Sequence, residues 1–176
     1  MEQLKVLNTT LVLIWKDNKV LLAEKKRGFA KGTYNGIGGK QDPGETIDQA
    51  MVRETQEEIN VTPTQYEQVG LINFDTWYKG EHVDLNLNIY TCTQYEGTIK
   101  ETEEMIPEWF DIDKVPFDRM LPDDVKWFPI VIKGGYVTGK VILEADLKTC
   151  THNIYEISKE QLQKNINDKY GKSLEK

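Results

Sequence analysis

Residues 39–61 read GKQDPGETIDQAMVRETQEEINV and contain a predicted helix with an unusual stripe. Thr46 and Gln49 have the spacing of a capping box, so we expect the helix to begin there and to extend to Asn60. At about 100° per residue, one side of this helix begins apolar and continues acidic. The apolar part is Ile47, Ala50 and Met51, and the acidic part is Glu54, Glu57 and Glu58.

The acidic half of this stripe needs a counter-charge. Residues three and four positions apart are neighbours on a helix, so the three carboxylates repel one another, more strongly if they are buried. The simpler alternative is a solvated acidic face near a helix C-terminus, where the helix dipole also disfavours negative charge. Oxygen ligands without thiols or imidazoles favour Mg²⁺. The stripe therefore predicts a magnesium site, with Mn²⁺ able to substitute.

The overall charge narrows the range of partners. The 176 residues include 22 basic and 29 acidic side chains, which give a net charge of −7. A surface of that sign repels nucleic-acid polymers, whereas a small anion can still bind to a cation or a local basic cluster. The apolar run Leu11–Trp15 is too short for a signal peptide or a membrane span. We expect a cytoplasmic protein with no membrane partner, in which Cys92 and Cys150 are reduced.

The rest of the chain mixes predicted strands with predicted helices. In the segment 83–89, apolar residues alternate with polar ones, which predicts a strand with one covered and one polar face. The other predicted strands are 10–15 and 20–24, joined by a turn at Asp17-Asn18, followed by 135–144 and 151–157, and the other predicted helices are 123–132 and 158–170. This order predicts an α/β fold in which helices cover both faces of a mixed sheet.

The spacing of charged residues within 39–61 resembles the signature of the Nudix hydrolases. Thr55 differs from the aliphatic residue that the family prefers, and Asn60 replaces the usual glycine but tolerates the left-handed conformation of a helix end. The resemblance implies the Nudix fold, an α/β/α sandwich, over residues 1–157, followed by a C-terminal helix and tail at 158–176 that frays beyond Gly171. The matching residues are Gly39, Glu45, Arg53, Glu54, Glu57 and Glu58.

Segments outside this signature resemble one branch of the family, which hydrolyses oxidised purine nucleoside triphosphates. The similarity extends over 10–157 and is carried by 25–29, 35–40, 122–124 and 127–129. It implies release of nucleoside monophosphate and pyrophosphate from 8-oxo-dGTP or 2-oxo-dATP, in sanitation of the nucleotide pool that protects DNA. The implied partner is a small nucleotide, and the implied assembly is a monomer or a homodimer.

The resemblance also implies roles for the acidic residues. The Gly38 carbonyl would bind Mg²⁺ together with the three helix glutamates. Glu104 matches a further carboxylate near the metal, with a solvated acidic loop as the alternative. Glu54 is the first candidate for the general base and Glu57 the second. Glu45 and Arg53 would form an ion pair that shapes the loop before the helix.

A base pocket is implied by residues distant from the signature. Lys25 is similar to a lysine that contacts phosphate, and Asn35 can present a donor and an acceptor to a purine edge. Asp123 and Asp124, if buried together, would share a proton; an acidic helix cap is the alternative. The remaining pocket residues are Thr10, Phe29, Trp127 and Leu121, the last at the place of a base-stacking tryptophan.

Other functions fit the signature alone. It would also suit hydrolysis of ADP-ribose, dinucleoside polyphosphates or another modified triphosphate. A non-catalytic domain that senses nucleotides is a further alternative, but such domains usually lose signature carboxylates, and all of them are present here. Asn35 and the Asp123-Asp124 pair favour the purine triphosphate.

Overall fold

Residues 3–171, which the computed structural model describes, form a mixed eight-stranded sheet with three α-helices. The predicted α/β class is confirmed. Within these residues, no helix is long and apolar enough to cross a membrane. The elements are β1 (Lys5–Lys16), β2 (Lys19–Lys25), β3 (Tyr34–Asn35), α1 (Ile47–Ile59), β4 (Val61–Tyr78), β5 (Glu81–Gly97), β6 (Met105–Asp111), α2 (Asp124–Ile132), β7 (Tyr136–Leu143), β8 (Cys150–Ile157) and α3 (Lys159–Tyr170).

The strand order is β3-β2-β1-β5-β4-β7-β8. β1 and β3 pair with successive parts of β2, and β6 pairs with β2 along its whole length. β1 is parallel to β5 and β4 is parallel to β7, whereas the other pairs are antiparallel. Two apolar clusters lie against this sheet. One contains Trp127 and Phe128 of α2, and the other contains Met51 and Ile59 of α1. The expected sandwich of helices on both faces is therefore present.

Helix α1 begins and ends as the sequence predicts. The Thr46 hydroxyl accepts from the backbone N–H of Gln49, and the Gln49 side chain accepts from the backbone N–H of Thr46, which completes the capping box. Asn60 ends the helix in the left-handed conformation, with φ 65° and ψ 30°. Because both ends are fixed by local contacts, the acidic stripe keeps a defined register relative to the loop before it.

The predicted strands and helices are confirmed, but β3, β4 and β6 are missed. β4 contains register irregularities between Pro63 and Gly70 that break its alternation. β6 contains Pro107, which an edge strand tolerates because one side of it needs no ladder hydrogen bonds. The predicted frayed end beyond Gly171 lies outside the described residues.

The expectation of an exposed polar face on β5 is wrong. Asn86 and Asn88 are only 2% and 0% exposed, whereas Leu85 and Leu87 are only partly buried. The two leucines line a cleft, and the two asparagines are covered on the other side of the sheet by a hydrogen-bonded network. Polarity alone does not distinguish a solvated face from a buried network.

Candidate active site

The loop before α1 is pinned to β1 by backbone hydrogen bonds. Thr10 N–H donates to the Gly39 carbonyl at 2.8 Å. A Cβ at Gly38 would lie 2.0 Å from the Thr10 carbonyl oxygen, and a Cβ at Gly39 would lie 2.5 Å from the carboxylate carbon of Glu54. Position 38 therefore requires glycine, and the absence of a side chain at Gly39 leaves room for the Glu54 carboxylate directly against the loop.

Glu58 is the most buried carboxylate of the stripe, with 4% of its surface exposed. Its Oε2 accepts from the Gly38 N–H at 2.9 Å. Burial raises the pKa of Glu58 to about 8, against the opposing effects of that hydrogen bond and of the charge on Lys25. A carboxylate of this kind stays ionised near neutral pH only with additional positive charge nearby.

Arg53 organises the other carboxylates. Its guanidinium contacts both oxygens of Glu45, at 2.6 and 3.1 Å, and donates to the Lys40 carbonyl at 3.0 Å. The same group reaches Glu54 at 2.9 Å and Glu57 at 3.2 Å. Burial raises the pKa of Glu54, and the neighbouring Arg53 opposes that shift. The Arg53 guanidinium is thus the shared counter-charge of the loop and the acidic stripe.

These residues fit a magnesium ion, although they do not enclose one by themselves. Across residues 3–171, no three carboxylate, histidine or cysteine side chains lie close enough together to hold a metal ion without further ligands. Instead, Arg53 contacts Glu54 and Glu57, and Arg27 contacts Glu104 at 2.5 Å. Mg²⁺ commonly uses one or two carboxylates, waters and substrate phosphates. An oxygen-only donor set that includes the buried Glu58 carboxylate matches that requirement.

A cleft of about 370 Å³ lies beside the loop. It brings together residues that are far apart in the sequence, from β1 to the end of β7. Of the residues named from the sequence, its walls include Thr10, Lys25, Phe29, Asn35, Gly38, Glu104, Leu121, Asp123 and Asp124. The cleft is therefore continuous with the loop that faces the acidic helix.

Trp127 does not line the cleft, so the expectation that it would is wrong. It is fully buried behind the wall, because α2 turns its indole into the core beside Phe128. Its Nε1 donates to Asp123 Oδ2 at 3.2 Å. Trp127 thereby orients a cleft residue from behind.

Asp123 and Asp124 are buried side by side, with 1% and 3% of their surfaces exposed. In the described structure Asp123 makes no side-chain cap hydrogen bond, so the helix-cap alternative lacks its defining contact. Asp124 Oδ2 accepts from the Leu121 N–H at 3.0 Å. Asp123 Oδ1 is buried and has no hydrogen-bond partner among residues 3–171.

The same burial changes the protonation of this pair. It raises the pKa of Asp123 to about 6. It also raises the pKa of Asp124 well above its usual value, and the neighbouring charge of Asp123 adds to that shift. Two adjacent carboxyl groups without a cation between them keep one proton near neutral pH. The pair can then donate and accept at the same edge of a ligand.

Several cleft residues were not anticipated from the sequence. Tyr78 and Lys79 reach it from the β4–β5 hairpin, where Lys79 and Gly80 form a tight turn with φ 52° and 81°. The rings of Tyr78 and Phe29 lie 5.9 Å apart. The signal available was the Lys-Gly pair between two strands, but its relation to the cleft depends on how the sheet twists. The other unanticipated residues include Arg27, Lys40, Phe74, Thr76, Leu85 and Leu87.

A glycine loop against an acidic helix, with a cleft beside it on a mixed sheet, has the oxygen donors and the open cleft that a metal-dependent hydrolase requires. The chain belongs to the Nudix family: the NUDIX domain model matches residues 5–130. It is 45% identical over 124 residues to the oxidized purine nucleoside triphosphate hydrolase of Danio rerio, covering 70% of this chain and 78% of that protein. The protein of the same name from Mus musculus is 40% identical over the same shares.

Solved structures agree with this assignment. The crystal structure of a mutator MutT protein from Bacillus halodurans superposes with a TM-score of 0.74 and 25% identity, covering 84% of this chain and 97% of that one. The NUDIX domain of Shewanella oneidensis NrtR, solved with ADP ribose, has a TM-score of 0.60 and 16% identity, covering 76% of this chain and 90% of that one. At 16% identity, the similarity to the NrtR domain shows only a shared fold.

Proposed function

We propose that this Nudix hydrolase cleaves oxidised purine nucleoside triphosphates, such as 8-oxo-dGTP and 2-oxo-dATP, to monophosphate and pyrophosphate. The observation that carries the proposal is the unpartnered Oδ1 of Asp123, buried in the cleft wall beside Asp124. A buried polar atom without a partner is costly, and a purine edge would supply the missing hydrogen bond. The names of the fish and mouse relatives support this choice of substrate.

The acidic end of the site holds the metal in this proposal. Glu54, Glu57 and Glu58 would hold Mg²⁺ with the Gly38 carbonyl, and Glu104 would lie close to it. Bound Mg²⁺ screens phosphate charge and lowers the pKa of an attacking water. Glu54 is the preferred general base because its carboxylate lies against Gly39, a residue that lines the cleft. Glu57, which is more exposed, is the second candidate.

Cationic side chains around the cleft receive the triphosphate. Lys25, Arg27, Lys40 and Lys79 all line it. In a chain with a net charge of −7, such a local cluster draws a small anion toward one place. Lys25 also acts on the charge of Glu58, so it lies between the acidic helix and the cleft.

The other end of the cleft binds and recognises the purine base. Asn35 presents a donor and an acceptor, and the aspartate pair presents one neutral and one ionised carboxyl group, which suits more than one oxidised purine. The Phe29–Tyr78 pair offers an aromatic surface for the face of the base. Leu121 contributes apolar contact where a stacking ring is absent.

A substrate panel with product analysis tests this function. The purified protein with Mg²⁺ should hydrolyse 8-oxo-dGTP and 2-oxo-dATP with higher kcat/KM than dGTP, ADP-ribose or a dinucleoside polyphosphate. Chromatography should show monophosphate and pyrophosphate as the initial products. Orthophosphate as the initial product would contradict the proposed cleavage, and faster turnover of ADP-ribose would contradict the proposed substrate.

A further inference from the structure

A row of buried amide side chains lies on the side of the sheet away from the cleft. Asn86 and Asn88 alternate along β5 with leucines that line the cleft, so they point to the opposite side. Buried amides are costly unless they are hydrogen-bonded. Asn86 Nδ2 donates to Asn8 Oδ1 at 3.0 Å, and Asn88 Nδ2 donates to the Tyr170 hydroxyl at 3.0 Å.

This row continues into the loop before α1. Asn8 Nδ2 donates to Gln41 Oε1 at 3.0 Å, and the Gln41 N–H donates to the Asn8 carbonyl at 2.8 Å. The other end of the Gln41 amide, Nε2, donates to the Glu45 carbonyl at 2.7 Å. Glu45 in turn binds Arg53, the residue that contacts two of the proposed metal ligands. A continuous series of hydrogen bonds thus reaches the acidic stripe.

Tyr170 brings the C-terminal helix into this series. It is the last residue of α3, which lies beyond the part of the chain that the family model matches. Its hydroxyl also donates to Asn8 Oδ1, at 3.4 Å. Leu162, 2% exposed, anchors the same helix, and α3 and the start of α1 line a second cleft of about 690 Å³. The helix is therefore attached beside the loop and not at the base pocket.

We propose that Gln41 and Tyr170 are positioning residues. Through them, the appended helix α3 holds the 38–45 loop and the Arg53 side chain in place for the metal. This inference rests on the metal site of the proposed function. Apolar contacts alone would pack α3 equally well, but they would not fix the positions of the Glu45 carbonyl and the Arg53 guanidinium. Amide hydrogen bonds have direction, so they specify where the Glu45 backbone lies.

The experiment compares Gln41→Met and Tyr170→Phe with the wild-type protein. Mn²⁺ binding without nucleotide is measured from the electron paramagnetic resonance signal of free Mn²⁺, and hydrogen exchange of the 38–45 peptide is measured without metal. Each variant should bind Mn²⁺ roughly 2- to 10-fold more weakly, the change expected for one hydrogen bond, and should exchange faster in the loop. The Mn²⁺ affinity of the double variant should fall by less than the product of the two single fold-losses, because both residues belong to one network.

Tyr155→Phe is the matched control, since this exposed tyrosine of β8 loses the same hydroxyl at a distant place. If Gln41→Met and Tyr170→Phe keep wild-type Mn²⁺ affinity and loop exchange while their melting temperatures fall, the network only supports the fold and the inference is wrong. If the wild-type protein binds no Mn²⁺, the proposed metal site fails. Loop exchange then still decides the positioning role: faster exchange in both variants supports it and unchanged exchange overturns it.

Discussion

The proposed metal-binding end and the proposed base-binding end of the site are built in different ways. The metal end comes mainly from one continuous stretch, residues 38–58, in which a capped helix and a pinned loop face each other. The base end is assembled from β1, the loop after β2, the β4–β5 hairpin and the start of α2. Its geometry depends on the whole sheet. We therefore expect substitutions at the two ends to change different quantities: turnover and metal affinity at one end, and substrate selectivity at the other.

The largest expected effect is at the metal end. Glu57→Gln and Glu58→Gln should each abolish turnover, a loss beyond the ~10- to 100-fold that a group supporting a metal ligand usually costs. Because burial already raises the pKa of Glu58 to about 8, removing its charge should leave metal-free thermal stability unchanged or higher. Steady-state kinetics and thermal melting measure both effects. Glu103→Gln, an exposed neighbour of Glu104, is the control; full turnover with Glu57 and Glu58 both changed, or in excess chelator, would refute the metal site.

A substitution at the base end should spare chemistry that does not involve the base. Tyr78→Ala should lower kcat/KM for 8-oxo-dGTP roughly 5- to 150-fold, the range for loss of one stacking ring, and should leave a base-free triphosphate unaffected. Trp77→Ala is the control, since this adjacent ring stacks on His82 and is 43% exposed. Equal losses on both substrates would show damage to the hairpin and not loss of stacking.

The buried aspartates should make stability depend on pH. The pKa of Asp123 is raised from 3.8 to about 6 in the folded protein, so between these values the folded state binds more protons than the unfolded state. The stabilising contribution of Asp123 to the free energy of unfolding is therefore fully present below about pH 4. It is lost as the pH rises through about 6, and the loss is roughly 1 to 3 kcal/mol. The melting temperature of Asp123→Asn should fall less than that of the wild type between pH 5 and pH 8. Parallel pH profiles of the two proteins would contradict this account.

The smallest expected effect is a gain. Leu121→Trp should add a stacking surface and lower the KM for oxidised purines a few-fold, which is less than the ~1–3 kcal/mol that a fully stacked ring contributes. The Mg²⁺ concentration for half-maximal rate should stay the same, because Leu121 lies in the cleft and not at the acidic helix. A shift in that Mg²⁺ concentration would show that the two ends are not separable.

The same contrast explains how much the sequence predicts. The capping box, the left-handed Asn60 and the acidic stripe follow from local rules, since every contact that defines them lies within a few residues. The placement of Tyr78 and Trp127 follows instead from the packing of distant elements, which no local pattern encodes. The burial of Asn86 and Asn88 depends on partners from β1 and α3. Local periodicity therefore describes the metal end well and leaves the base end and the amide network to the structure.

The most direct test of this division is the ratio of kcat/KM for 8-oxo-dGTP to kcat/KM for dGTP in Asp123→Asn and Asp124→Asn. If the pair reads the purine edge, each substitution leaves a buried hydrogen bond unmet and should lower the ratio by roughly 5- to 150-fold, with the Mg²⁺ requirement unchanged. If the pair only caps α2, stability should fall by ~1 kcal/mol and the ratio should stay constant. A lower melting temperature with an unchanged ratio would contradict the base-pocket assignment, and the protein would then be a Nudix hydrolase of another nucleotide.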